Sequence, residues 1–293
     1  MEQKSLINGL ELAFSPVSNY DFTFLRDEEK LQNLLANSSL YIIAQRTELS
    51  FESFTTDPEN GLLEFEIHQK HNPKKLKCKL HISQIASSVN SEIDICIEFA
   101  SYNSKIDKSA DQKVNNIHSI RLFASEISRE NILVWFSPEK FLHNYWKKCF
   151  DAEIIGDIMD FLKYKVHYVG KSTDQDIWVR LTGHNTLQDI LSIEYPLVHG
   201  SLPTHEIVLL LYKFQDNVSM STFDNNSSIN DMVNALYGKD RPDQRSIFLD
   251  AEKVLIKYMQ PIYNKILPDS VSKKSNINKK NSCKDLVNII NYG

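Results

Sequence analysis

The seven residues Leu76-Lys77-Cys78-Lys79-Leu80-His81-Ile82 alternate strictly between apolar and basic or polar side chains. That pattern suits a strand with one buried and one wet face, because successive side chains leave an extended backbone on opposite sides. Similar β-prone stretches are Leu40–Ala44, Leu63–His68, Ile93–Phe99 and Ile117–Phe123, with a shorter apolar run at Ile132–Phe136. Clusters of Asn, Ser, Asp and Gly separate these stretches, so the spacing predicts an antiparallel β-rich domain over residues 1–136, entered by a polar leader. Lys70, Lys74 and Lys75 extend the lysine face of Leu76–Ile82, which reads either as a solvated sheet face or as a contact for nucleic-acid phosphates.

Beyond residue 136 the period changes. Ser137-Pro138-Glu139 opens a helix with an N-cap, a proline in the first turn and a carboxylate at the positive end of the dipole. Phe141, Leu142, Tyr145, Trp146 and Phe150 form its packing stripe, and Ile154, Ile155, Ile158, Phe161 and Leu162 continue a helical pattern. Residues 137–163 are therefore expected to be a helical connector. Asp216–Ser228 reads as a polar insertion loop, Ser101–Asn116 as a polar loop, and residues 269–293 as a polar linker before a last short helix.

With 42% apolar and 10% aromatic residues the chain can bury a substantial core. No run approaches the ~20 apolar residues of a membrane span and the first residues lack a signal-peptide pattern, so no membrane partner and a cytoplasmic address are expected. Cys78, Cys96, Cys149 and Cys283 are too scattered for a zinc or disulfide framework. Gly170-Lys171-Ser172 resembles the end of a phosphate-binding loop, but Lys165 stands where that loop needs glycine. His199-Gly200-Ser201 lacks the context of a serine hydrolase, and His143, His199 and His205 are isolated. A net charge of −5 means that any contact with a polyanion must be local.

The second half carries a series of chemistry-bearing words. Val166 to Gly170 is β-prone and ends in a glycine, followed by Lys171. Arg180 and His184 stand four apart, a spacing that puts both on one face of a helix. Glu206–Phe214 is an apolar run suited to a central strand. Asp250 is expected to cap a helix carrying Glu252, with Val254, Leu255, Tyr258 and Met259 on its buried side, and Pro261 ends it before Asn264.

At Tyr168-Val169-Gly170, Lys171, Arg180, His184, Glu252 and Asn264 the chain resembles the GIY-YIG nuclease superfamily. The resemblance covers about residues 160–268. It implies an α/β nuclease domain at residues 164–268, with a small central sheet flanked by helices, and hence an α+β chain overall. The family's first word, a Gly-Ile-Tyr strand, is expected about ten residues before Tyr168, where Tyr164 and Val166-His167 stand nearest. The long gap from His184 to Glu252 is attributed to an insertion around Asp216–Arg245.

The resemblance further implies metal-dependent cleavage of phosphodiesters in DNA ahead of RNA, in a restriction or anti-phage setting. Glu252 would hold Mg²⁺ (or Mn²⁺) as a hard oxygen ligand. Arg180 and Lys171 would stabilise developing phosphate charge, and Tyr168 would accept the proton of the attacking water. His184 would orient the nucleophile or protonate the leaving oxygen, and Asn264 would hold ligands by hydrogen bonds. The β-rich domain would recognise substrate or mediate a protein partner or homo-oligomer. The alternative is an inactive nucleic-acid-binding or assembly subunit on the same fold. Taken singly, Tyr168 also reads as sheet packing, Arg180 as a surface ion-pair partner, Glu252 as a helix carboxylate and Asn264 as a cap.

Overall fold

A computed structural model describes residues 3–36, 38–82, 85, 95–101, 115–124, 132–173, 175–223, 227–239 and 242–264. The chain is a mixed α+β protein built on two antiparallel sheets. The expected linker and helix at 269–293, and most of the polar loop at 101–116, lie outside the described residues.

The first sheet contains β1 (Gln3–Leu12), β2 (Val17–Ser18), β3 (Leu40–Gln45), β11 (Lys165–Lys171) and β12 (Ile207–Thr222), in the order β1-β12-β3-β11 with β2 also on β12. The central place expected for the apolar run after Glu206 is where β12 lies, between β1 and β3. Two short helices enter its architecture early, α1 (Asn19–Leu25) and α2 (Glu29–Leu35). The second sheet contains β4 (Leu49–Asp57), β5 (Leu62–Gln69), β6 (Lys75–His81), β7 (Ile95–Ser101), β8 (Ile117–Ala124), β9 (Ile132–Phe136) and β10 (Ala152–Ile155). Helix α3 (Pro138–Trp146) closes its apolar face, with Ser137 capping it as the sequence predicted. Phe51, Phe65, Phe136 and Phe141 meet there in edge-on contacts, such as Phe65 with Phe141 at 5.0 Å between ring centres.

The remaining helices are α4 (Ile177–Thr182), α5 (Asn185–Ile193), α6 (Pro203–Glu206), α7 (Ile229–Leu236) and α8 (Gln244–Met259). Both faces of the first sheet are covered. On one, Tyr41, Ile43, Leu209 and Leu211 pack with Phe22, Leu35, Trp178, Leu181 and Ile190. On the other, Leu40, Ile42, Val169 and Leu210 pack with Leu255 and Ile256 of α8. β3 is buried along its whole length, as a strand covered on both faces must be.

Several expectations need correction. The chain does not change sheets at residue 136: β1 and β3 belong to the sheet that holds β11 and β12, and residues 46–164 run out through the second sheet and back. The polar leader supplies strand β1. The helical connector is half right, because Ala152–Ile155 is a strand paired with β6 and only Ile158–Leu162 coils, as a 3-10 turn. Burial along Ala152–Ile155 alternates with period two, as pairing with β6 requires. The supposed loop after Asp216 continues β12 to Thr222, paired with β1 as far as Gln3. Helix α8 starts at its cap Asp243, so Asp250 lies inside it, and its buried residues are Phe248, Leu255 and Ile256 while Tyr258 is exposed.

Two features fasten the sheets together. Arg46, directly after β3, forms a buried ion pair with Glu139 of α3. Beside it, Tyr20 sits edge-on to both His118 of β8 and His205 of α6, with Asp21 and Glu48 as their acidic neighbours at 3.8 Å.

Candidate functional site

β11 is the last strand on the first sheet's path, and its inner neighbour is β3. The register sets Gly170 opposite Tyr41 and Lys171 opposite Leu40. A tyrosine-bearing strand thus lies antiparallel to Tyr168-Val169-Gly170, but it is Leu40-Tyr41-Ile42, far upstream, and not the segment ten residues before Tyr168. Tyr164 is half-buried elsewhere, beside Arg46.

Gly170 permits this approach. A Cβ built there would stand 2.5 Å from the Cζ and hydroxyl oxygen of Tyr41 and 2.6 Å from Cε1 of Tyr168. The two tyrosine rings lie 6.0 Å apart between centres, each facing His184 edge-on, at 5.6 Å from Tyr41 and 5.1 Å from Tyr168.

Arg180 and His184 do not share a helix face. Arg180 is in the last turn of α4, Gly183 ends that helix, and His184 caps α5. Their convergence is on a hydroxyl instead: His184 Nε2 is 2.7 Å and Arg180 Nε 3.3 Å from the Tyr41 oxygen. The tautomer follows from the cap. The Leu187 backbone N–H donates to His184 Nδ1 at 3.0 Å, so Nδ1 carries no proton. Burial, with the Arg180 cation adding to it, holds the imidazole pKa down to about 4, so the ring is neutral and its proton is on Nε2. The Tyr41 oxygen therefore accepts two hydrogen bonds, one from a cation. Burial is the larger influence on its own pKa and raises it, with Tyr168 adding to the rise and Arg180 opposing it.

On the other face of the sheet Lys171 Nζ meets Glu252 Oε2 of α8 at 3.4 Å. Burial raises the Glu252 pKa, opposed first by Lys171 and then by Arg180. Arg180 hydrogen-bonds Tyr41, and its charge also acts on Glu252 without a direct contact.

Asn264 lies at the outer edge of β11. Its Oδ1 accepts from Val169 N at 2.9 Å and its Nδ2 donates to Val169 O at 2.8 Å, while Tyr263 N donates to His167 O at 3.1 Å. These bonds satisfy backbone groups that an edge strand would leave open. Both polar groups of the Asn264 side chain are thereby spent on positioning the strand, a different task from the ligand contact the sequence suggested.

Among the described residues no group of three or more His, Cys, Asp or Glu is placed to hold a metal ion. Glu252 offers a single carboxylate beside two cations. Glu252 is the one carboxylate of the sequence-suggested set, and it is occupied by Lys171. The lysine face of the second sheet is largely neutralised: Lys75 pairs with Glu66 at 2.6 Å and Lys79 with Glu64 at 2.7 Å, while Lys74 pairs with Asp160. Lys70 pairs with Glu48 at 3.4 Å. That face fits the solvated reading.

None of the described helices is long and apolar enough to cross a membrane. No family model, curated protein or solved structure matches the chain.

The residue that sequence reasoning missed is Tyr41. Its signal was present in Leu40-Tyr41-Ile42-Ile43-Ala44, where one tyrosine interrupts an aliphatic run, but its partner strand is separated from it by the second sheet.

Proposed function

We propose that the chain is a metal-dependent phosphodiesterase of the GIY-YIG type, acting on DNA ahead of RNA, with its site at the Tyr41, Gly170 and Arg180 junction. The observation that carries this reading is the Tyr41 hydroxyl, which receives His184 and Arg180 from two helices opposite a glycine that alone leaves it room. Three words singled out in the second half, Tyr168-Val169-Gly170, Arg180 and His184, meet a tyrosine strand from the first.

In this reading Arg180 binds a non-bridging phosphate oxygen and stabilises the charge that grows in the transition state. Lys171 turns from Glu252 to the phosphate, freeing the carboxylate. Glu252 would hold Mg²⁺ or Mn²⁺, which when bound polarises the phosphoryl group and lowers the pKa of nearby oxygen acids. Tyr41 takes the base role that the sequence gave to Tyr168, because its oxygen is the one on which His184 and Arg180 converge; burial raises its pKa against the Arg180 cation, so the role requires the bound metal to lower it. Tyr168 packs beside it and completes the wall of the site. His184, neutral and bonded through both ring nitrogens, is a positioning residue that acts through Tyr41. The second sheet leaves from the far end of the β3–β11 pair, where Gln45 lies opposite Lys165, and serves as a recognition unit.

The test is cleavage of plasmid, linear and single-stranded DNA and RNA with Mg²⁺ and Mn²⁺, comparing the wild type with Tyr41→Phe, Arg180→Ala and Glu252→Ala. Each variant is expected to lose at least ~100-fold in rate, typical for removing a transition-state donor. Binding without cleavage by the wild type under every condition would favour the alternative, an inactive nucleic-acid-binding subunit.

A further inference from the structure

The turn that carries the chain from α3 into β10 borders a cavity of about 740 Å³, within the ~300–1,000 Å³ of small-ligand sites. None of its lining residues belongs to the first sheet or to α4, α5 or α8, so it is separate from the Tyr41 site. Its form follows from the local backbone. Lys147 caps α3, and Lys148 then takes the left-handed conformation, with φ of 56°. The Cys149 N–H donates to the Asn144 carbonyl at 2.9 Å and the Lys148 N–H to the Tyr145 carbonyl at 3.0 Å, the paired bonds of a Schellman motif. Glycine or asparagine is the ordinary choice at such a position, and here it carries an ammonium instead. The reversal sets Phe150 and Ala152 on the same cavity as Tyr145 and Trp146.

Three aromatic rings form the walls. Phe150 is fixed from behind, its ring centre 5.1 Å from that of Phe141 and 5.2 Å from that of Phe136. Trp146 leaves 46% of its surface exposed in the last turn of the helix. The side chains of Tyr145 and Lys148 make no hydrogen bond or ion pair with another of the described residues, whereas Lys75 and Lys79 on β6 are neutralised by Glu66 and Glu64. Cys149 and Asp151 complete the lining. This set narrows the ligand. An apolar molecule would leave the Lys148 ammonium and the Tyr145 hydroxyl without partners. A cation would meet Lys148, with Lys147 next to it in the chain. A flat anionic molecule with hydrogen-bonding edges suits every part: the rings stack on its face, Lys148 takes a phosphate oxygen, and Asp151 accepts from an exocyclic amine. An unpaired nucleotide of a single strand has that combination, whereas a base inside a duplex keeps its face in the stack.

We propose that this cavity binds an unstacked nucleotide of single-stranded nucleic acid, with Trp146 and Tyr145 stacking on the base and Lys148 holding its phosphate. The assignment rests on the nucleic-acid part of the proposed function, gives the second sheet its contact, and uses none of the residues placed at the Tyr41 site.

Cys149 makes the site observable, because it is exposed and lines the cavity. Alkylation of the full chain by iodoacetamide, mapped to Cys149 by mass spectrometry, is expected to slow when a mixed-sequence single-stranded DNA oligonucleotide saturates the protein, and not when the corresponding duplex does. Fluorescence anisotropy with the same strand, labelled, is expected to show the dissociation constant rising at least ~10-fold in Trp146→Ala, the scale of one lost base stack, while Trp146→Phe keeps most of the affinity. Lys148→Ala is expected to reduce the salt slope of binding by about 0.7, the value of one phosphate contact on a single strand. Should Trp146→Ala misfold, Lys148→Ala and the alkylation rate still decide. Single-strand binding that ignores both variants, or Cys149 alkylated equally fast with and without the strand, overturns the assignment and leaves the nuclease reading standing. No binding of the strand overturns it as well. Protection of Cys149 by tetramethylammonium in place of the strand would give the aromatic walls to a cation and overturn it too. Absence of cleavage by a wild type whose Cys149 the strand protects defeats the nuclease reading alone.

Discussion

Replacing Gly170 by alanine tests the central geometry with one methyl group. The new Cβ would stand 2.5 Å from two atoms of the Tyr41 ring end, whereas carbon atoms at rest sit about 3.5–4.0 Å apart. About 1 Å must be found by moving Tyr41 or Tyr168 or by parting β3 from β11. Tyr41 has no slack, being buried and held by His184 and Arg180. β11 is held on its outer edge by Asn264. Overpacking of this kind costs about 1–3 kcal/mol, and each kcal/mol shifts the melting temperature of a chain of this size class by about 2–4 °C. Thermal unfolding followed by circular dichroism should therefore show a fall of several degrees. Because the displaced atom is the Tyr41 hydroxyl, cleavage should fall far more than stability does, with folded variant still present at assay temperature. A Gly170→Ala protein with unchanged melting and unchanged activity would refute the close approach of β3 and β11 at the site.

Other perturbations follow from the same structure. Asn264→Ala removes two hydrogen bonds from Val169 and should lower stability by about 1–3 kcal/mol in denaturant titration, with Asn264→Asp recovering only the bond from Val169 N. Arg46→Met leaves Glu139 buried without its partner and should cost about 3–5 kcal/mol, whereas replacing both residues by apolar ones of similar size should recover most of that loss. Stability should rise between pH 4 and 6.5. Burial holds His118, His143 and His184 near about 4, below the ordinary value, so the unfolded chain binds more protons than the folded one across that window. Asp21, raised to about 6 by burial, opposes them, since the folded state binds its proton more tightly between about 4 and 6. A melting temperature flat or falling over this range would contradict three buried neutral histidines.

Strand identity was widely legible. The alternating burial of β6, exposed at Lys75 and Lys77 and buried at Leu76, Cys78 and Leu80, is the pattern read in its sequence. The apolar run after Glu206 lies at the centre of a sheet because it is buried on both faces over Ile207–Tyr212. Ala152–Ile155 was misread because its two adjacent isoleucines also fit the helical stripe that continues through Ile158, and only the pairing with β6 separates the two readings. Arg180 and His184 were correctly associated for the wrong reason: spacing suggested one helix, whereas Gly183 ends the first helix and the two side chains meet at Tyr41.

What the sequence determined by itself is local: which segments extend, which coil, and where Ser137 caps. These depend on periodicity and on the intrinsic properties of each residue, which neighbours in the chain already display. Tertiary structure alone decided that β3 is the partner of β11, that Tyr41 faces Gly170, and that Asn264 serves a strand edge. Strand pairing is a choice among distant segments of similar apolar character, settled by the shape of a whole core and by one glycine small enough to let a tyrosine through.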